Sequence, residues 1–492
     1  MDVKEKKECD VLVVGGGNAG LVAAIEARNA GAKVLLIEKC PKKARGGNSR
    51  FSYGDFRVTT ESRKDWEALL EGATLPKEEL EIEPFSKDEF YHTAIRLSEG
   101  RTDRRLTEIF VNSSYETAMW MKEQGVKWDV NPIHGYKKGN SIFYPAGQPF
   151  LTTSGSGERL VEMLYEIAED KGIETLYDMA AFKLLENAEA KVCGAITKGI
   201  EGFLQINAKN VILACGGFQA NPEMRRSCLG PNWDLAKLRG TRYNTGDGIR
   251  MAFEIGAQLI GHWGGCHASP VSEDSPMVEA ESVPSQRYSY LYGIIVNRDG
   301  KRFVDEGENF FSYTYAKYGK EILKQPGSVA FQIYDGKVIP LLRVEYHDAV
   351  KVESKSLEEL AEELDINVEQ FLATIKEFNE AIVNDEKPFV PYELDGRCTK
   401  GLNPDKTNWA QKIDTPPYQG YAVVCGLTMT YGGLRTNEKA QVIDTQERPM
   451  KGLFAVGEVT GGFFYYNYLG ASGLLRGAVM GRIAGAEAAS TL

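Results

Sequence analysis

The sequence predicts an α/β fold in which a parallel-sheet domain is interrupted by an inserted α+β unit. Three observations carry this. A strand, a glycine turn, a helix and a second strand open the chain between Asp10 and Glu38. Glycine-rich strand–turn signals return only near the end, from Gly432 onward. The stretch between them changes composition after Gly256 and becomes rich in Tyr, Ser and Gly.

The opening stretch reads DVLVVGGGNAGLVAAIEARNAGAKVLLIE. Val11 to Val14 is an unbroken aliphatic run, as in a strand buried on both faces. Gly15, Gly17 and Gly20 follow in G-x-G-x-x-G spacing. In such a turn the first glycine allows the bend, the second admits a pyrophosphate, and the third lets helix and strand pack closely. Leu21, Val22, Ala24, Ile25 and Ala27 form an apolar helical face, which Gly31 ends. The helix start offers free N–H groups and partial positive charge to phosphate. Val34 to Ile37 is a second buried strand, and Glu38 follows it, 18 residues past Gly20. A carboxylate there accepts the hydroxyls of an adenosine ribose and disfavours a 2′-phosphate, so FAD or NAD is expected over NADP.

Beyond Glu38, Gly46 and Gly47 precede Asn48 and Ser49, a polar loop suited to lie over a cofactor. Lys64 to Gln124 reads as helical, with Trp66, Leu69, Leu70, Phe110, Trp120 and Met121 as core. Pro132 to Thr153 reads as loop, and Gly157 to Lys171 as an amphipathic helix. Ala181 to Asn207 reads as short antiparallel strands, and Val211 to Ala214 as a buried one. Thr245 or Asp247 is expected to cap the helix of Asn244–Gly256. A strand is expected at Gly293–Asn297, helix from Ser356 to Asn384, and a proline-rich connection from Phe389 to Pro417. The last helix is expected from Ser472 to Ala489. The expected boundaries are 1–258 and 414–492 for the two parts of the nucleotide domain, and 259–413 for the insertion. Such a split domain suits a flavoprotein. Glu458 would accept ribityl hydroxyls, and N–H groups near Gly473 would stabilise negative charge at flavin N1 and O2.

Composition excludes other classes. The net charge of −11 argues against nucleic acid as a partner. No run of apolar residues is long enough to span a membrane. The N-terminus has no apolar leader, so a cytoplasmic location is expected. The eight cysteines form no C-x-x-C pair and only five histidines occur, so no metal, haem or iron–sulfur site is expected.

The motifs VVGGGNAGLVAA, GGNS, ACGGF, TGDG, VNRDGKRFVDE, TNWAQKIDTPPY, TYGGL, GLFAVGEVTGG and YLGASGL resemble the succinate dehydrogenase/fumarate reductase flavoproteins over nearly the whole chain. The likeness extends to the ketosteroid dehydrogenases and is greatest to the FAD-dependent tricarballylate dehydrogenases. It implies a Rossmann-like FAD-binding domain of the glutathione-reductase type, interrupted by an α+β capping domain, with a substrate cleft between the two at the isoalloxazine. It also implies hydride transfer between flavin and one carbon of a C–C bond. The implied FAD contacts are Gly15, Gly17, Gly20, Glu38, Lys39, Gly47, Asn48, Ser49, Gly217, Asp247, Glu458, Ser472 and Leu475, with Asn18, Ala19, Gly46, Gly473 and Leu474 beside them. Asn48 stands where membrane-bound relatives carry the flavin-linking histidine, so FAD is expected to be non-covalent. Phe310, Met429 and Tyr468 stand where fumarate reductases carry an arginine, a histidine and an arginine, which argues against fumarate.

Dehydrogenation beside a carboxylate needs one group for enolate-like charge and one for the α-proton. His267 matches the family's substrate-side histidine. Tyr468 resembles the ketosteroid enzymes' carbonyl-supporting tyrosine. Tyr313 and Tyr315 are candidate proton carriers, and Arg287 is the candidate for a substrate carboxylate. The expected activity is that of a CH–CH oxidoreductase on a tricarballylate-like polycarboxylate or its unsaturated counterpart. A ketosteroid-type enone, a non-catalytic flavin electron-relay subunit and a nicotinamide-dependent dehydrogenase are the alternatives. Without haem or iron–sulfur motifs, an external electron carrier, protein or quinone-linked, is expected.

Overall fold

The computed structural model describes residues 3–76, 79–154 and 156–492. The chain forms two compact units. The first comprises the chain up to Pro231, Gly240–Cys266 and Met429–Leu492; the second comprises Asn232–Arg239 and His267–Thr428.

The first unit is built on strand β1 (Val3–Val14), helix α1 (Asn18–Asn29) and strand β2 (Val34–Ile37). Val11 to Val14 pair in register with Val34 to Ile37 and run parallel to them. Both runs are buried on both faces, because parallel strands are covered by helices on either side. The sheet continues with Glu174–Leu176 on one side and Gly202–Leu213, then Pro449–Ala455, on the other, all parallel. Gln441–Ile443 closes that edge antiparallel. Val192–Gly199 and Ala180–Glu186 form the expected antiparallel excursion from Gly202–Leu213. The C-terminal helix Ser472–Ser490 packs along α1. The glycines of that helix allow the approach: a Cβ on Gly481 would stand 2.7 Å from the Ala19 carbonyl oxygen.

The second unit is a mostly antiparallel sheet centred on Tyr418–Thr430. Val329–Tyr334 and Val352–Ser354 pair antiparallel with it, Ile294–Val296 extends it, and Lys237–Leu238 joins it parallel. Cys266–Ser272 pairs with the same central strand. Leu360, Phe371, Ile375 and Phe378, from Leu357–Glu363 and Val368–Ala381, build a core with Ile294, Phe331 and Ile333 of this sheet.

Three expectations are corrected. The insertion begins at His267 and ends at Thr428, and it recruits Asn232–Arg239, because those segments are stitched to the central strand. Pro132–Thr153 is not all loop: Tyr136–Lys138 and Ser141–Tyr144 form a hairpin that pairs with Leu80–Ile82. The helix Asp247–Glu254 has Gly246, in the left-handed region, at its N-cap position, and Thr245 donates its hydroxyl to Asp247 instead.

Candidate active site

The glycines of the first turn have separate duties. Gly15 has a φ of +106°, and a Cβ there would lie 2.6 Å from the Ala214 carbonyl oxygen. A Cβ on Gly20 would lie 2.0 Å from the Gly15 carbonyl oxygen, so helix and turn meet there. Gly17 differs. Its φ of −79° suits any residue, and a Cβ would meet only Ser49 Oγ at 3.6 Å and the Gly46 carbonyl at 3.7 Å. The protein does not need a glycine at that position. A glycine there fits the close backbone approach that a pyrophosphate would need.

Glu38 is buried at the end of β2, where Oε2 accepts from the Gly16 N–H at 2.8 Å and Oε1 from the Cys40 N–H at 3.0 Å. A carboxylate has about four lone-pair sites, so acceptor capacity remains for ribose hydroxyls. Ser49 Oγ accepts from the Asn18 N–H at 3.1 Å, and Asn48 Oδ1 from the Thr241 N–H at 3.0 Å. Lys39 Nζ donates to Asp247 at 2.8 Å and to Thr245 Oγ1 at 2.6 Å. Asn18 Nδ2 donates to the Leu474 carbonyl at 2.8 Å, which brings the start of α1 to the start of the last helix. Ala19 packs there too, 2.9 Å from where a Cβ on Gly457 would stand.

Glu458, on the far side of this cradle, accepts from the Thr430 N–H at 2.9 Å and from Gln219 Nε2 at 3.1 Å. Burial pushes its carboxyl up to about 7, against the lowering effect of those donors. A Cβ on Gly217 would come within 2.5 Å of Glu458 Oε1 and 2.2 Å of Thr430 Oγ1. The cofactor residues expected from sequence all lie within one unit. The Gly473 N–H donates to the Tyr468 hydroxyl at 2.8 Å. Ser472 Oγ likewise donates to the Leu469 carbonyl.

Tyr468 is buried in that loop, and burial raises its phenol above the usual range. Its oxygen accepts from the Gly473 N–H at 2.8 Å. Arg57 holds the loop from below: its Nε donates to the Gly470 carbonyl at 2.7 Å and its backbone N–H to the Ala471 carbonyl at 3.0 Å.

The second unit holds the other candidates. His267 is buried in Cys266–Ser272, and its ring meets the Tyr315 ring edge-on, centroids 4.9 Å apart. Its basicity falls well below that of an ordinary histidine, first because burial strips water from the imidazolium and then because Arg239 opposes a second positive charge. Neutral imidazole can accept a proton. Arg239 is itself buried and donates from Nε to Thr428 Oγ1 at 2.9 Å. The Tyr288 ring packs tilted against that of Tyr315, centroids 4.8 Å apart, and lies within electrostatic reach of Arg239 and Arg343. Arg343 pairs with the buried carboxylate of Glu345 at 2.7 Å. Tyr313 is two residues before Tyr315 on Phe311–Leu323, about 200° round the helix.

Arg287 is corrected. It is 1 % exposed, and its Nη1 donates to the carbonyls of Pro284, Gln286 and Glu345. It clamps the backbone and is not placed to receive a substrate carboxylate. Phe310, at the expected proton-donor position, packs on Trp409 with ring centroids 5.5 Å apart. Sequence reasoning missed Arg57, Arg239, Arg343 and Arg476. For Arg476 a signal existed, since an arginine inside SGLLRGAVM interrupts an apolar helical run.

A glycine turn, a buried acid at the end of β2 and a second buried acid, Glu458, fit a dinucleotide-binding flavoprotein. The chain belongs to the FAD binding domain family, whose model it matches over residues 10–474. It is 31 % identical over 484 residues to a probable fumarate reductase of Shewanella frigidimarina, a match covering 97 % of this chain and 74 % of that protein. The open conformation of a flavocytochrome c3 fumarate reductase superposes with a TM-score of 0.74 at 28 % identity, over 99 % of this chain and 79 % of that one. The 3-ketosteroid Δ1-dehydrogenase of Sterolibacterium denitrificans shares the fold, with a TM-score of 0.76 at 21 % identity over 99 % of this chain and all of its own. The protein is an FAD-dependent CH–CH oxidoreductase of the succinate dehydrogenase/fumarate reductase flavoprotein superfamily. No described helix is long and apolar enough to cross a membrane.

Proposed function

We propose that this enzyme interconverts a C–C single and double bond beside a carboxylate, with tricarballylate-like polycarboxylates as its substrate class. The observation that carries the reading is the pairing of Arg239 with a neutral His267 in the second unit, beside Tyr288 and Tyr315. FAD, held non-covalently by the glycine cradle, Glu38 and Glu458, supplies the hydride acceptor or donor. Arg239 offers a guanidinium to a substrate carboxylate. His267, kept neutral, takes the α-proton when the substrate is oxidised. Tyr468, whose oxygen accepts from the Gly473 N–H, belongs to the cofactor side of this reading. An external carrier exchanges electrons with the flavin. The eight cysteines are all free thiols, which suits a reducing compartment such as the cytoplasm.

The deciding measurement is stopped-flow flavin reduction by tricarballylate, beside reoxidation of the reduced enzyme by aconitate, fumarate and steroid enones. Exchange with the tricarboxylates supports the reading. Rapid exchange with fumarate or an enone, and none with either tricarboxylate, overturns the substrate class and leaves the flavoprotein assignment standing.

A further inference from the structure

Arg476 lies on the C-terminal helix, one turn in from its start at Ser472. It is only 3 % exposed. Its guanidinium sits over the rings of Phe463 and Phe464, 4.9 Å from each centroid. Its Nε is enclosed without a hydrogen-bond partner. Among the described residues no carboxylate reaches it at salt-bridge distance; Glu458 and Tyr468 act on it through space alone. A guanidinium carries five donors, and burying them without acceptors is costly. Two aromatic faces return part of that cost through cation–π attraction.

The position adds to the problem. A helix start carries partial positive charge, which favours anions. This helix has no acid in its first turn and no side-chain cap. A buried cation and a helix start therefore act together with, among the described residues, no carboxylate at salt-bridge distance from the cation. Buried charge in that condition is normally answered by a ligand.

We propose that Arg476 answers the negative charge that reduction places on the pyrimidine edge of FAD, and so sets the flavin's redox potential. The proposal rests on the FAD assignment. Two observations favour the cofactor over a substrate carboxylate. The electrostatic neighbours of Arg476 are Glu458 and the Tyr468 loop, which adjoin the cofactor residues Ser472 to Leu475. The Gly473 N–H, one of the N–H groups at this helix start, donates to the Tyr468 hydroxyl, which leaves fewer donors for that edge. Two phenylalanine rings also hold the guanidinium, which suits a fixed partner. Burial lowers Arg476 to about 10 while Glu458 holds it up, so it remains charged at neutral pH. A cation that interacts more strongly with the reduced than with the oxidised cofactor must favour reduction by that difference.

The test uses the holoenzyme with Arg476→Met, which fills the space between the rings without charge, and Arg476→Lys, which keeps the charge. The midpoint potential is measured by equilibration with a reference dye, and sulfite binding by bleaching of the flavin. Tricarballylate affinity is read from its perturbation of the flavin spectrum. Arg476→Met should lower the equilibrium constant for two-electron reduction about tenfold, equivalent to about 30 mV. Sulfite affinity should fall by a similar factor, tricarballylate affinity should stay within twofold, and Lys should recover most of the shift. An unchanged potential in a yellow Arg476→Met protein overturns the proposal, and a selective loss of tricarballylate affinity would reassign the residue to substrate. If Arg476→Met does not retain flavin, Arg476→Gln carries the same comparison. A colourless wild-type protein would instead sink the FAD assignment itself.

Discussion

Gly17 and Gly20 belong to one motif, yet the structure gives them different reasons to be glycine, and Gly17→Ala and Gly20→Ala separate those reasons. At Gly20 an added methyl would stand 2.0 Å from the Gly15 carbonyl oxygen, about 1.4 Å short of ordinary contact at 3.4 Å. Helix α1 must lift from the turn to admit it, and such overpacking costs roughly 1–3 kcal/mol of stability. At Gly17 the methyl meets Ser49 Oγ at an ordinary 3.6 Å, with an unstrained φ of −79°. Losing glycine's freedom in the unfolded chain is worth about 0.4–1 kcal/mol, and alanine at an N-cap position gives back a similar amount. The apo protein should therefore change by less than about 1 kcal/mol.

FAD binding should report the reverse order. A methyl on Gly17 holds the pyrophosphate away from the N–H groups at the start of α1. Losing a hydrogen bond to a charged group costs roughly 1.5–3 kcal/mol, or about ten- to a hundredfold in Kd. The assays are urea unfolding of the apo forms and FAD titration by flavin fluorescence. Wild-type FAD affinity in Gly17→Ala would refute the cradle. So would destabilisation of the apo protein as large as in Gly20→Ala, because the glycine would then serve the fold.

Three further outcomes are expected. Glu38→Gln keeps the size but can accept from only one of the Gly16 and Cys40 N–H groups. FAD affinity should fall about ten- to a hundredfold in a titration, and an unchanged Kd would remove Glu38 from the site. Arg287→Met should cost about 2–4 kcal/mol in urea unfolding, because three carbonyls lose their donor, while KM for the polycarboxylate stays level; a large KM rise would restore the residue to the substrate site. His267 has a folded pKa well below its ordinary value near 6.5. Its unfolded form gains a proton as pH falls through that value and its folded form does not, so stability is complete above it and drops by about 1.4 kcal/mol per pH unit below. His267→Gln should flatten that acid limb in a pH series of unfolding curves, and an unaltered limb would contradict the burial of a neutral ring.

The cofactor half of the molecule was legible because its signals are local. Glycine spacing, an aliphatic run and a terminal acid lie within 29 residues of one another, and each has a fixed geometric meaning. The insertion was harder. Tyr418–Thr430 is apolar and glycine-bearing, like the strands of the first unit, and only its partners show which sheet it joins. Lys237–Leu238 is a two-residue strand, too short for any periodic signal. TNWAQKIDTPPY, counted among the subgroup motifs, proves in part structural: Thr407 Oγ1 donates to Asp305 Oδ2 at 2.8 Å, and Asn408 Nδ2 to the Gly307 carbonyl at 2.9 Å. Buried arginines were the least legible feature. Composition assigns arginine to the surface, and nothing around Arg57 or Arg239 departs from that expectation until the fold encloses them.

Those arginines change the meaning of the departures from the fumarate reductases. Read residue by residue, Phe310, Met429 and Tyr468 remove two arginines and a histidine, which suggests a site poor in cations. The structure shows cations in other places. Arg57 and Arg476 are buried in the first unit, where both act on Tyr468 through space. Arg239 is buried in the second unit beside His267. Burying three guanidinium groups is too costly to be incidental in a fold of ordinary marginal stability. Where an arginine donates the proton, a neutral histidine is dispensable. Here Phe310 packs against Trp409, and His267 is held neutral by burial and Arg239. A histidine held neutral is free to accept a proton, but the same lowering makes it a weak base and its imidazolium a strong acid, so the shift by itself favours neither direction.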